Sequence, residues 1–261
     1  MKEYIDRMAK DGLRIDGRGL DDFREVKIET GVAKKAEGSA LVHIGGTKVM
    51  AGVKMGLAEP YSDSPDEGSL MVSFEESQIA SPDWEGGPPR LEAIEVARTV
   101  DRGIRESHMV DFKKLCVKKG ELVWKVFIDI YPFNYDGNII DASSLAAIAA
   151  LLDAKFPKIE GDKVLYDELT KDKLPVTKVP VTTTFVKVGE HIMVDPNLKE
   201  EELMDARLSV STSGKDKINA MQKSASGGFT PDEVKAMIEK SFKIRAALEK
   251  ALKPLQGGSK K

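Results

Sequence analysis

The chain reads as an α+β fold with largely antiparallel sheet, and three features of its pattern predict this. Short runs rich in β-branched and aromatic residues recur along both halves, separated by turn residues. Each half then closes with helical periodicity, so strands and helices are grouped rather than strictly alternating. The end of the chain carries a complete helix start signal at Thr230, Pro231 and Glu233.

From the N-terminus, Tyr4, Ile5 and Met8 fall at helical spacing between Glu3 and Lys10, and Gly12 breaks the helix before a tight loop at Arg14–Arg18. Val26–Thr30 alternates as a strand. Ser39–Ile44 and Thr47–Met55 flank Gly45 and Gly46, which predicts a hairpin. Residues 59–68 are loop, Ser69–Glu75 a strand, and 81–89 irregular again. A helix is expected from Leu91 to Met109, with Leu91, Ile94, Ala97, Val100 and Ile104 on one face and Arg98, Arg102 and Arg105 on another. Strands follow at Leu115–Val117 and Leu122–Tyr131. Ala142–Leu152 is apolar around most of its circumference, which predicts a buried helix with Asp141 as its N-cap. After Pro157 the composition turns charged and irregular through Lys173, where the boundary between the halves is expected. Thr177–Val188, His191–Asp195, Arg207–Ser213 and Lys217–Ser224 then read as strands. The expected organisation is an N-terminal helix and extension over 1–24, a first half over 25–160, a second half over 161–255 and a disordered tail at 256–261.

Composition narrows the function. The 261 residues are 41% hydrophobic and 32% charged, and no apolar run approaches the roughly 18 to 20 residues of a membrane span. The stretch MKEYIDRMAKDGLR lacks an apolar signal core, so a cytoplasmic location is expected. Forty basic against 43 acidic residues give a net charge of −3, so any nucleic-acid contact has to be local. Cys116 stands alone and His43, His108 and His191 are widely spaced, which argues against a structural metal. Gly45 and Gly46 lack the context of a nucleotide-binding loop, and Ser143 and Ser144 have no neighbouring histidine to make a nucleophile.

Several segments agree in order with a known family: RIDGR at 14–18, AEGSALVHIGGTKVMAGVK at 36–54, GGPP after Trp84, AIEVARTVDRGIRES at 93–107, DGNIIDASSLAAIAAL at 136–151 and VDPNLKEEELMDA at 194–206. Together they resemble the RNase PH superfamily, and within it the non-catalytic RNase PH-like subunits of the archaeal exosome. The resemblance implies an RNase PH-like fold and a hexameric ring, a trimer of dimers in which catalytic and non-catalytic subunits alternate. It further implies RNA-binding cap subunits, and 3′-to-5′ phosphorolysis of single-stranded RNA with inorganic phosphate and Mg²⁺ used at the partner's site. No cofactor is expected for this chain.

Three comparisons with catalytic members bear on which kind of subunit this is. A phosphate site needs backbone donors at a helix N-terminus and a guanidinium. Where catalytic relatives place Gly-Ser-Arg or Gly-Thr-Arg, this chain has Asn138, Ile139 and Ile140, followed by Asp141, whose charge opposes a phosphate. The acidic pair that catalytic relatives hold six residues apart is Asp195 and Glu201, one methylene longer in its second member. Glu200, Glu201, Glu202 and Asp205 otherwise read as a solvated charge run. Ahead of the long helix, Leu91 and Glu92 stand where catalytic relatives carry two arginines.

Arg98 and Arg102 match positions where the non-catalytic archaeal subunits offer arginines to RNA, with Arg105 on the same stripe. The competing reading is intrahelical pairing with Glu95, Asp101 and Glu106. RIDGR reads as a turn, and Trp84 as a contact residue or part of the core. The expectation is therefore a non-catalytic ring subunit with Arg98 and Arg102 on RNA. The alternative is an active phosphate-dependent exoribonuclease using Asp195 and Glu201.

Overall fold

A computed structural model describes residues 1–256; of the tail expected at 256–261, Gln256 is the last residue of a helix and 257–261 lie outside the described residues. The chain begins with a helix, α1 (Lys2–Lys10), whose buried Ile5 and Ala9 pack on the second sheet. The first sheet contains β1 (Val26–Thr30), β2 (Gly38–Ile44), β3 (Thr47–Ala58), β4 (Ser69–Phe74), β5 (Cys116–Lys118) and β6 (Leu122–Asn134). Its order is β1-β2-β3-β6-β4, with β5 pairing the start of β6. The β4–β6 pair is parallel and the others are antiparallel. The second sheet is fully antiparallel in the order β10-β9-β11-β12. It comprises β9 (Val181–Val188), β10 (His191–Val194), β11 (Ala206–Ser213) and β12 (Lys217–Ser224).

Between these sheets lies α3 (Ile139–Asp153), buried from Ile139 to Leu152 and packed on β2, β3 and β9, as its all-round apolar sequence requires. Its C-terminal end presses on β2. A Cβ at Gly38 would sit 2.3 Å from the Ala150 carbonyl oxygen and 2.6 Å from Ala154, so only glycine admits the approach. The long helix α2 (Leu91–Glu106) packs Ala93, Val96, Val100 and Ile104 toward β4 and α3, and also lies along β12. Its end precedes the expected Met109, because the chain reverses at His108 (φ 53°) into a 3-10 turn at Phe112–Leu115. Helix α5 (Pro231–Gln256) closes the second half, with Met237 packing on β9 and β11 residues and Leu248 and Leu252 joining the main core. No described helix is long and apolar enough to cross a membrane.

The charged segment after Pro157 is ordered. It forms a two-stranded ribbon, β7 (Lys155–Glu160) and β8 (Lys163–Lys173), turning at Gly161 (φ 60°). Only a few apolar residues, Phe156, Ile159 and Val164 among them, pack partly against the main core, and the register shifts twice between the strands, so no regular alternating hydrophobic pattern marks the sequence. The strand expected from Thr177 begins only at Val181, after Pro180.

The segment after Asp195 is likewise a helix, α4 (Leu198–Leu203). It starts with a capping box in which Asn197 Oδ1 accepts from Glu200 N (3.1 Å) and Asn197 N donates to Glu200 Oε2 (2.9 Å).

Candidate functional site

The loop joining β6 to α3 is shaped by its neighbours. Gly137 (φ 81°) faces the turn before α4, where a Cβ would meet the Asn197 carbonyl carbon at 2.4 Å and the Pro196 oxygen at 2.5 Å. Asn138 follows in the left-handed region (φ 55°) and is the N-cap of α3, which starts at Ile139 rather than Ala142. Asp141 is therefore not the cap but lies within the first helical turn. Its buried carboxylate accepts from Thr184 N (2.9 Å), Thr184 Oγ1 (2.8 Å) and Asn138 Nδ2 (2.9 Å). Burial pushes this carboxyl up from 3.8 to about 7 against the lowering pull of those hydrogen bonds, and the charge of Asp195 adds to the rise. Ile139 and Ile140 are buried in the main core. No guanidinium projects from the position that holds the phosphate-binding arginine in catalytic relatives.

Asp195 (φ 48°) is fully buried at the end of β10, and its carboxylate is enclosed by donors. Arg24 supplies N, Nε and Nη2, each at 2.8 Å, Arg18 Nη1 approaches to 2.9 Å and Asn138 Nδ2 to 2.7 Å. Behind it, Arg14 is buried against Glu200, with Nε to Oε1 at 2.9 Å, and donates to the carbonyls of Val194 (2.7 Å) and Asp195 (2.9 Å). The RIDGR segment is thus the expected turn, closed by Gly17 N donating to the Arg14 carbonyl (3.0 Å), and its two arginines reach inward to tie the N-terminal loop to Asp195 and the start of α4.

Glu201 takes Asn138 N (3.0 Å) and the Tyr135 hydroxyl. Burial raises its carboxyl, while Arg207 and Tyr135 pull it down, and burial raises Tyr135 as well. The expected solvated charge run holds for the exposed Glu202 and is corrected for two of its members. Glu200 and Glu201 are buried, because the capping box turns them inward onto arginine and backbone donors. The carboxylates of Asp141, Asp195, Glu200 and Glu201 are all held by protein donors, and among the described residues no set of three His, Cys, Asp or Glu is arranged to hold a metal ion.

The arginine stripe on α2 is a different environment. Arg105 is consumed internally: it pairs with Asp101 through Nε (3.0 Å) and Nη2 (2.7 Å), donates to the Leu70 carbonyl (2.9 Å) and lies over the Phe112 ring. Glu95, the other candidate intrahelical partner, turns to Arg207 on β11 (3.0 Å) and Ser224 on β12. Among the described residues, Arg98 is consequently exposed with no carboxylate partner, and Arg102 is half-buried with Gln222 as its one protein acceptor. The intrahelical alternative therefore holds for Arg105 and fails for the two arginines singled out in the sequence. Trp84 packs inward, stacked on Tyr135 at 5.1 Å and edge-on to Phe74 at 6.0 Å. Gln222 and Arg24 carried no signal in the sequence, since each acts through a partner far away in the chain, and Asn138 stood out only as a departure from glycine, with its bond to Asp195 unforeseen.

Residues 22–157 match the family model described as 3′ exoribonuclease family, domain 1, and residues 178–244 match domain 2. The chain is 44% identical over 257 residues to the exosome complex component Rrp42 of Thermococcus gammatolerans, covering 97% of this chain and 93% of that one. It is 46% identical over 250 residues to the protein of the same name from Methanosarcina acetivorans, covering 96% and 90%. A solved chain from an Archaeoglobus fulgidus exosome with RNA bound to the active site superposes with a TM-score of 0.88 at 43% identity, over 95% of this chain and 96% of that one. With both domain models matched in order and the fold shared end to end, this chain belongs to the 3′ exoribonuclease family of RNase PH-like proteins.

Proposed function

We propose that this chain is a non-catalytic ring subunit of an archaeal exosome, a cytoplasmic complex that degrades RNA by 3′-to-5′ phosphorolysis. It pairs with a catalytic RNase PH-like subunit, forms with it a hexameric trimer of dimers under RNA-binding caps, and holds the RNA backbone through Arg98 and Arg102. Inorganic phosphate and Mg²⁺ act at the partner's site.

The observation that carries this reading is the β6–α3 loop. Phosphorolysis needs a guanidinium to hold phosphate beside the scissile diester, and here Ile140 fills that position inside the core. The remnant carboxylates support it. A general acid must have a proton to give and a path to the leaving oxygen. Asp195 lacks such a path: its carboxylate is enclosed by two guanidinium groups and an amide, and no face of it is open to substrate. The relatives from Thermococcus gammatolerans and Methanosarcina acetivorans, both exosome complex components, agree with an exosome role. For RNA, support comes from the two arginines that carry no ion pair on α2, since a guanidinium already neutralised by a carboxylate gains little from a phosphate.

The test is to incubate the purified chain with labelled single-stranded RNA, magnesium and inorganic phosphate, alone and with a catalytic RNase PH-like partner, while following particle size by light scattering. The expected result is no nucleoside diphosphate from the chain alone, with ring formation and faster phosphorolysis on mixing. Release of nucleoside diphosphates by the chain alone would replace this reading with an active exoribonuclease using Asp195 and Glu201.

A further inference from the structure

The surface of α2 that bears Arg98 and Arg102 runs beside β12, which is the edge strand of the second sheet. Gln222 on β12 accepts a hydrogen bond at Oε1 from Arg102 Nη2. The other end of the amide, Nε2, donates to the Lys223 carbonyl at 3.2 Å. An arginine offers only donors, so the amide oxygen has to face it, and the backbone carbonyl keeps the amide from turning over.

On the same guanidinium, Nε is buried without a protein acceptor beside a void of about 10 Å³, which Thr99, Ser209 and Ser211 help to line. That void is close to the size of one water, and the hydroxyls around it are suitable partners for one. Among the described residues no protein acceptor takes Nη1. Arg102 is thus fixed along one edge and open at the other, whereas Arg98 is exposed with nothing to hold it.

We propose that Gln222 is a positioning residue for RNA binding, holding the Arg102 guanidinium so that its open edge meets an RNA phosphate. The inference rests on the RNA role proposed for Arg102. A long side chain that is already ordered loses less freedom when its ligand arrives, so the acceptor on β12 strengthens a contact it does not itself make. The neutral amide is also the right acceptor. A carboxylate at the same place would hold the arginine more tightly but cancel the charge that a phosphate seeks.

The experiment uses the ring assembled with its catalytic partner and a labelled single-stranded oligoadenylate, with binding titrated at several salt concentrations without inorganic phosphate. Arg102→Ala is expected to weaken binding about tenfold, the loss of one charged hydrogen bond. Gln222→Met, which keeps side-chain length and packing, is expected to weaken it about three- to tenfold, the cost of ordering one free side chain. Gln222→Met should add nothing in the Arg102→Ala background. Gln222→Glu separates positioning from mere structural support. It restores the acceptor, so a structural role predicts normal binding, while the positioning role predicts weaker binding with a shallower salt dependence.

Equal melting temperatures and particle sizes control for folding and assembly, with Gln222→Leu as a second apolar variant should Gln222→Met fail to assemble. Wild-type affinity for the apolar variant, or its restoration by Gln222→Glu, would overturn the proposal while leaving Arg102 on RNA. Wild-type affinity for Arg102→Ala would instead overturn the RNA reading of Arg102, and the positioning role with it.

Discussion

Asp141 shows how a single position can read correctly in character and wrongly in role. An acidic residue at the start of a buried helix looks like a cap, yet Asn138 takes that place and Asp141 turns to β9. Its raised value has a consequence for stability. The carboxyl binds a proton up to about pH 7 in the folded chain and only up to about 3.8 when unfolded, so the folded state holds more protons between these values. Stability is therefore greatest below about pH 4 as far as this group is concerned, and is lost as pH rises through about 7. Asp141→Asn mimics the protonated form: its amide can donate to Thr184 Oγ1 while its oxygen still accepts from Thr184 N and Asn138. Chemical denaturation between pH 4 and 8 should show a weaker decline for Asp141→Asn than for the wild type, with a gain at pH 8 on the order of a few kcal/mol. An unchanged pH profile would mean that Asp141 is ionised throughout.

At the scale of elements, legibility tracked whether an element buries one face. The helix α3, the β2–β3 hairpin and the start of α5 could be read directly from apolar pattern, paired glycines and a capping signal. In α5, Thr230 Oγ1 accepts from Glu233 N (3.3 Å) and Glu233 Oε2 from Thr230 N (2.7 Å). Thr230→Ala should cost about 1 kcal/mol in urea unfolding with an unchanged m-value; no measurable loss would show that core packing of α5 makes the cap redundant. The β7–β8 ribbon and α4 were not legible. The ribbon is mostly polar and its register is irregular, and α4 is a six-residue helix whose Glu200 and Glu201 point inward because arginines distant in sequence, Arg14 and Arg207 among them, lie there. A charge run conveys no direction by itself. Solvated and buried arrangements differ only in what the fold brings opposite to it.

For the whole molecule, α3 stands as a shared spine between two sheets, and the loop at its N-terminus is where β6, β10, α4 and the N-terminal segment converge. That convergence turns the region corresponding to a phosphate site into an interior network of arginine, carboxylate and amide groups. A subunit of this kind should be stabilised by its catalytic partner through mass action, since only the folded chain binds. At a hundredfold excess of partner over Kd the gain is about 2.7 kcal/mol, read as a concentration-dependent rise in the melting temperature of the mixture. A melting temperature that does not respond to partner concentration would argue against ring pairing.

Sequence alone sufficed for the α+β class and the order of most elements, because these depend on local pattern, while the missing arginine at Ile140 and the candidacy of Arg98 and Arg102 were legible only through the resemblance to the RNase PH superfamily. Which arginine is already spent was decided only by tertiary structure. Asp101 takes Arg105, Glu95 leaves the helix for Arg207, and Arg102 turns to Gln222, 120 residues away. Helical spacing shows which partners are within reach, but a side chain surrounded by several acceptors goes to the one that packing orients and desolvates, and that choice exists only once the chain has folded.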